Sequence, residues 1–200
     1  MRSTHKAHQL ISEFLSGGEV VIDATAGNGH DTLFLADLIG ASGTVYAFDV
    51  QQEAIENTQE RLEKAGFLDR VIVNKMGHQE MGRIIPKKHH GTISVIMFNL
   101  GYLPGSDHSI TTLRSTTVVA INQGLQFLAP SGIMTVVCYP GHDEGNYESK
   151  SVSEYLGRLD SERYSFEKYV NEEAKVSAPF LVVITKIESS QELPIVDLSS

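Results

Sequence analysis

The stretch from Val21 to Thr32, VIDATAGNGHDT, decides how the rest of the chain is read. It closes an apolar run, Glu19 to Thr25, with the length and composition of a buried strand. It then opens a helical pattern that begins near His30 and stops at Gly40. Gly27 and Gly29 lie between the two, where glycine permits a sharp turn and close approach of a ligand to the backbone. Strand, glycine turn and helix make one β/α unit, and its turn is where open α/β folds bind nucleotides.

Outward from that turn the same alternation recurs. TVYAFDV, RVIVNK, TISVIMFNL and GIMTVVCYP read as further strands. Helices are expected over His5 to Leu15, with Ala7, Leu10, Ile11, Phe14 and Leu15 on one stripe, and over Gln51 to Lys64, with Ala54, Ile55, Thr58 and Leu62 inward. Two more are expected over Ile110 to Leu128, burying Leu113, Val118, Ile121, Leu125 and Leu128, and over Glu148 to Leu159. The last runs, RYSFEKYV and PFLVVITKI, have no helix-length segment between them and are expected to pair antiparallel. Five parallel β/α units plus an antiparallel strand pair is an α/β, Rossmann-like, seven-stranded class I methyltransferase sheet rather than a dehydrogenase sheet. A single domain over residues 1–188 is expected, followed by a polar, flexible tail over 189–200.

The 200 residues are 41% hydrophobic and 20% charged, which is globular composition. No apolar run is long enough for a membrane span, and the N-terminus lacks the apolar core of a secretory signal. Cys138 is the only cysteine, so an internal disulfide and cysteine-based metal spacing are excluded; in IMTVVCYP it reads as a small buried hydrophobe. A cytoplasmic location suits such a chain. The formal net charge of −9 argues against binding nucleic acid by bulk electrostatics but leaves room for a local basic patch.

Asp23 ends the first strand four residues before Gly27, and Asp49 ends the second about twenty residues after the glycines. A carboxylate at the second position can accept hydrogen bonds from both ribose hydroxyls. Thr32 stands where the dinucleotide fingerprint has its third glycine, which disfavours a nicotinamide cofactor. This pattern fits S-adenosylmethionine; a turn-glycine pair with an ordinary strand-end acid is the structural alternative. His30, Asp31 and Thr32 then supply backbone N–H groups and caps at the helix start, Gln51 is placed for the ribose or adenine edge, and His78 for the loop that flanks the base; a macrodipole partner for Asp31 and a surface histidine for His78 are the alternatives.

Phe98 to Gly105, FNLGYLPG, follows the fourth strand and resembles the Asn-Pro-Pro-Tyr loops of enzymes that methylate amino nitrogens. In such a loop acceptors on the target N–H groups aim the nitrogen lone pair, and an aromatic ring stacks on the base. Asn99 and Tyr102 are the candidates for these roles; a strand-end turn is the alternative. CYPGHDEGNYES brings Tyr139 and His142 to the same edge, His142 either to accept a proton from an ammonium group or only to bind the substrate. No metal is expected, because methyl transfer from a sulfonium needs no Lewis acid.

VIDATAGNGHDTLFLA, FDVQ, FNLGYLPGSDHSITT and YPGHDEG together resemble the bacterial tRNA 5-aminomethyl-2-thiouridine methyltransferases, the MnmM family, once labelled rRNA methylases. The resemblance runs to about Lys186. It implies S-adenosylmethionine-dependent methylation of the exocyclic amine of 5-aminomethyl-(2-thio)uridine at the tRNA wobble position, with the anticodon loop as partner. It implies a cofactor pocket on Asp23, Asn28, His30, Asp31, Thr32, Asp49, Gln51 and His78, and a target pocket on Asn99, Gly101, Tyr102, Asp107, His108, Tyr139 and His142. Arg2, His5, Lys6, Lys75, Arg83, Lys87, Lys88 and Arg114 are candidate phosphate contacts. The densest basic cluster, RIIPKKHH from Arg83 to His90, is expected near the RNA; a homodimer is one way to join such patches. A small-molecule amine methyltransferase, an rRNA methyltransferase, a non-catalytic cofactor-binding module and a nicotinamide oxidoreductase are the competing readings.

Overall fold

A computed structural model describes residues 2–103, 105, 111–170, 175 and 177–187. The elements are α1 (Ser3–Phe14), β1 (Val20–Asp23), α2 (His30–Ile39), β2 (Thr44–Asp49), α3 (Gln52–Ala65), β3 (Val71–Lys75), α4 (Met81–Ile84), β4 (Ile93–Asn99), α5 (Arg114–Phe127), β5 (Leu128–Cys138), α6 (Asp143–Leu156), β6 (Tyr164–Tyr169) and β7 (Phe180–Lys186). The strands form one seven-stranded sheet in the order β3-β2-β1-β4-β5-β7-β6. β1 to β5 pair in parallel, while β7 runs antiparallel to both β5 and β6.

Strand alternation sorts the core into two layers. Val21, Val45, Val95 and Met97 point to one face, packed with Ile11 of α1, Leu35 and Ile39 of α2 and Leu62 of α3. Ile22, Phe48, Ile96 and Phe98 point to the other, packed with Ile121 and Leu125 of α5 and Val152 and Leu156 of α6. Because both faces are covered, the parallel strands read as continuous apolar runs rather than as alternating ones.

α2 keeps its predicted bounds, since left-handed Gly29 (φ 76°) precedes it and Gly40 (φ 65°) ends it. In α3 the four residues expected inward are all buried. Phe14 and Leu113, expected inward, are 37% and 47% exposed. Leu113 caps α5 instead of lying within it. The preceding residues are occupied elsewhere: Thr111 bridges Tyr102, and the N–H of Thr112 donates to the carbonyl of Gly101 (2.9 Å). The helix expected from residue 110 therefore starts at Arg114, and its first predicted residue lies outside the described ones. Leu128 is buried as expected, but as the first residue of β5, which starts four residues earlier than its apolar run.

α6 starts five residues before its expected bound. Nδ1 of His142 accepts from the N–H of Gly145 (3.1 Å), and Asp143 and Glu144 complement the positive end of the helix. The basic cluster lies before β4, away from the carboxyl ends of the strands. Lys87–His89 form a turn just before β4, and His90 packs on Phe127 at the end of α5 (centroids 4.5 Å apart). That is the edge where strands begin, opposite the functional edge described below. Arg83, also in that cluster, is exposed and paired with Glu80. No described helix is long and apolar enough to cross a membrane.

β1 ends in a fully buried carboxyl, Asp23. Burial, and then the nearby charge of Asp31, raise its pKa from 3.8 to about 7. The unfolded chain releases this proton at the lower value and the folded chain at the higher. The native state thus binds more protons between them, and stability drains away as pH rises through that window. The urea midpoint of the wild type is expected to fall from about pH 4 to about pH 8 more steeply than that of Asp23→Asn. Cys138, fully buried in the α5–α6 layer, has a thiol pushed up to about 12, first by burial and then by Glu148. Iodoacetamide is expected to leave it unmodified in the native protein and to alkylate it in urea.

Candidate active site

The strand order reverses between β1 and β4, because their connections leave toward opposite edges of the sheet. Above that junction, at the carboxyl edge, lies a cavity of about 1030 Å³.

One half is built by the loops after β1, β2 and β3. The glycine loop is pinned from α3. Thr58 Oγ1 donates to the carbonyl of Gly27 (3.1 Å), Arg61 Nε to the carbonyl of Asn28 (2.8 Å), and Asn57 Nδ2 to Asn28 Oδ1 (2.8 Å). Gly29 lets the helices meet: a Cβ there would lie 2.7 Å from the Cα of Thr58. The carboxylate of Asp49 accepts from the N–H groups of Gly27 and Gln51, each at 2.9 Å, and both oxygens keep a second lone pair. His78 is buried against Phe98, and burial pushes its pKa down to about 4, so the ring is neutral. Nδ1 faces the carbonyl of Ala24 (3.3 Å) and must carry the proton, which leaves Nε2 an acceptor.

The other half comes from the ends of β4 and β5. The backbone N–H of Asn99 donates to Thr25 Oγ1 (2.7 Å), and its Nδ2 donates to Asp31 Oδ2 (3.2 Å). A carboxylate only accepts, so the amide orientation is settled and Oδ1 is left over. Six buried side-chain polar atoms among the described residues lack a hydrogen-bond partner, and three of them, Asn99 Oδ1, Thr111 Oγ1 and His142 Nε2, belong to residues that line this cavity. Such orphans are costly unless a ligand or water satisfies them. Because Nδ1 of His142 accepts from Gly145, the neutral ring carries its proton on Nε2, which is a donor. Gly145 makes this possible, since a Cβ there would lie 2.7 Å from Nε2. Tyr102 is 40% exposed, its ring 5.7 Å from that of His142. Burial, then the charge of Asp31, raise the pKa of Tyr139.

The cavity wall holds Gly27, Asn28, His30, Asp31, Asp49, Gln51, His78, Asn99, Gly101, Tyr102, Tyr139 and His142. Asp23, Gly29 and Thr32 stand behind it; Thr32 Oγ1 donates to Asp23 Oδ2 (2.6 Å). Asp107 and His108 lie outside the described residues.

Sequence reading missed the support of the loop after β4. Glu148 of α6 is 2% exposed and accepts from the hydroxyls of Thr117 (2.5 Å) and Thr112 (2.8 Å). Thr112 Oγ1 in turn accepts from the N–H of Gly101 (2.8 Å). A buried carboxyl thus ties α5, α6 and the loop after β4 together. An acid on a helix gives no local signal for this; the threonines that meet it are over thirty residues away.

The family described as "Putative rRNA methylase" matches residues 45–185. The tRNA (mnm(5)s(2)U34)-methyltransferase, chloroplastic, of Arabidopsis thaliana is 38% identical over 77% of this chain, which spans 58% of that relative's length. Among solved structures, a "putative rRNA-methylase" from Clostridium thermocellum is 40% identical, with a TM-score of 0.89 over 94% of this chain and 98% of the other. A "putative methyltransferase" from Streptococcus mutans, solved in complex with SAH, is 32% identical, with a TM-score of 0.82 over 94% of this chain and 99% of the other. With more than half of its length matched and the same fold in close relatives, the chain belongs to the "Putative rRNA methylase" family.

Proposed function

We propose that this protein transfers a methyl group from S-adenosylmethionine to the exocyclic amine of 5-aminomethyl-(2-thio)uridine at the tRNA wobble position. The observation that carries the reading is the orphaned acceptor Asn99 Oδ1, in one cavity with the nucleoside-binding geometry of Asp49 and the glycine loop. An unmet acceptor asks for an N–H, and an amine supplies one. The names of the Arabidopsis and Streptococcus relatives, a tRNA (mnm(5)s(2)U34)-methyltransferase and an SAH complex, support the substrate and the cofactor.

The cofactor, when bound, supplies an electrophilic methyl group on a sulfonium. The residues of the chain do the rest. Asp49 would hold the ribose hydroxyls, and His78 would present Nε2 as an acceptor toward the base. Asn99 Oδ1 accepts from the target nitrogen and turns its lone pair toward the methyl carbon. Tyr102 offers a ring on which an unstacked base can rest, and a wobble base in a single-stranded loop is extruded at low cost. His142 acts as a donor from Nε2, suited to a carbonyl or thiocarbonyl of the pyrimidine, and not as the general base.

A small-molecule amine is the second reading, favoured by the net charge of −9 and by the placement of the Lys87–His89 turn away from the cavity. Labelled-methyl transfer to tRNA, rRNA and a small-molecule extract separates these substrates. Label is expected in tRNA, in the methylaminomethyl nucleoside by mass spectrometry; label confined to small molecules or to rRNA would overturn the assignment. Asn99→Ala is expected to lower kcat by about 100-fold while the Kd for S-adenosylhomocysteine, read by calorimetry, changes less than about threefold.

A further inference from the structure

α1 precedes the β/α units and adds no strand, yet it sends one side chain to the site. His8 Nε2 lies 2.7 Å from Asp31 Oδ1. The other carboxylate oxygen, Oδ2, accepts from Asn99 Nδ2 at 3.2 Å. Asp31 is 9% exposed and lies in the cavity wall, so His8, Asp31 and Asn99 form a continuous chain from α1 to the orphaned acceptor Asn99 Oδ1.

We infer that His8 is a positioning residue for methyl transfer, fixing through Asp31 the amide of Asn99 that receives the target amine. This rests on the reading of Asn99 given above.

Three observations point the same way. First, the imidazole is held twice: besides the contact to Asp31, it stacks on Phe34 with centroids 3.9 Å apart and planes 9° from parallel. Second, α1 is a rigid platform, with Ala7 and Ile11 fully buried and Ser3 Oγ donating to the carbonyl of Pro179 (3.0 Å), itself a cavity residue. Third, Asp31 lies within Coulomb reach of the buried Asp23, and His8 Nε2 sits within hydrogen-bond distance of its Oδ1. With His8 gone, Asp31 Oδ1 loses its donor beside a second carboxyl. The carboxylate is then free to turn away from Asn99 Nδ2. The contact reaches a largely buried carboxylate, with the two side chains 29% and 11% exposed, and it holds that carboxylate against Asn99, so the arrangement fixes geometry at the site.

The test uses the full chain with His8→Phe, which keeps an aromatic ring on Phe34 but loses the N–H, and His8→Gln, which restores an N–H near the position of Nε2. His8→Phe is expected to lower kcat on amine-bearing tRNA about tenfold, with KM for tRNA and the Kd for S-adenosylhomocysteine within about twofold of wild type. It is also expected to shift the side-chain amide resonances of Asn99 in the ¹⁵N-labelled protein. His8→Gln is expected to recover most of kcat and the wild-type amide resonances. An unshifted amide in His8→Phe, unchanged kcat, or a loss that appears only in cofactor affinity would overturn the inference. If His8→Phe does not fold, His8→Asn, whose amide is too short to reach Asp31, takes its place with the same expected outcomes. If the wild type fails to methylate the amine, the reading of Asn99 falls, while the amide resonances still decide whether His8 governs that side chain.

Discussion

The reversal of strand order between β1 and β4 is the constraint on which the rest of this structure depends. Helical connections leave these two neighbours in opposite directions, so no crossover covers the ends of both. A gap remains at the carboxyl edge, and every loop with chemistry in it opens there. The two apolar layers hold the strands still beneath that gap. Side chains at the strand ends, Asp23, Asp49 and Asn99, inherit the precision of the sheet rather than the mobility of a loop.

Polar groups at this edge are arranged by one another more than by solvent. Asp49 is aimed by two backbone N–H groups, Asn99 by Asp31, and Gly101 by Thr112 and Glu148. His142 is aimed by the first turn of α6. Each such bond consumes one hydrogen-bonding capacity of a side chain and thereby names what is left. The remaining atom of Asn99 is an acceptor, and that of His142 is a donor. Chemistry at the site is thus written in the unused half of each side chain.

Much of the fold was legible in the residues. The apolar runs became strands in the expected order, and the Gly29 and Gly40 boundaries of α2 stood unchanged. Where reading failed, a distant partner had overridden a local pattern. Leu113 matches a helical stripe, but Thr111 and Thr112 are committed to the loop after β4, so the helix starts later and Leu113 is exposed. The start of α6 was hidden because histidine is an uncommon cap and Gly145 reads as loop, though this glycine is what makes room for the ring. The lysines of the Lys87–His89 turn form a conspicuous cluster in sequence, but the direction of β4 carries them to the far edge.

By itself the sequence determined the α/β class, the glycine turn and the residue types at the strand ends, because periodicity and backbone freedom are local properties. Only tertiary structure decided which of those residues share a cavity and which stand behind it. Asp23 and Asp31 are eight positions apart, yet one is enclosed and the other lines the wall. His8 and Glu148 come from the first and last helices, α1 and α6, and nothing near either announces a part in the site. Their partners Asp31 and Thr112 are brought to them by packing, and contacts across such sequence distances exist only once the sheet has formed.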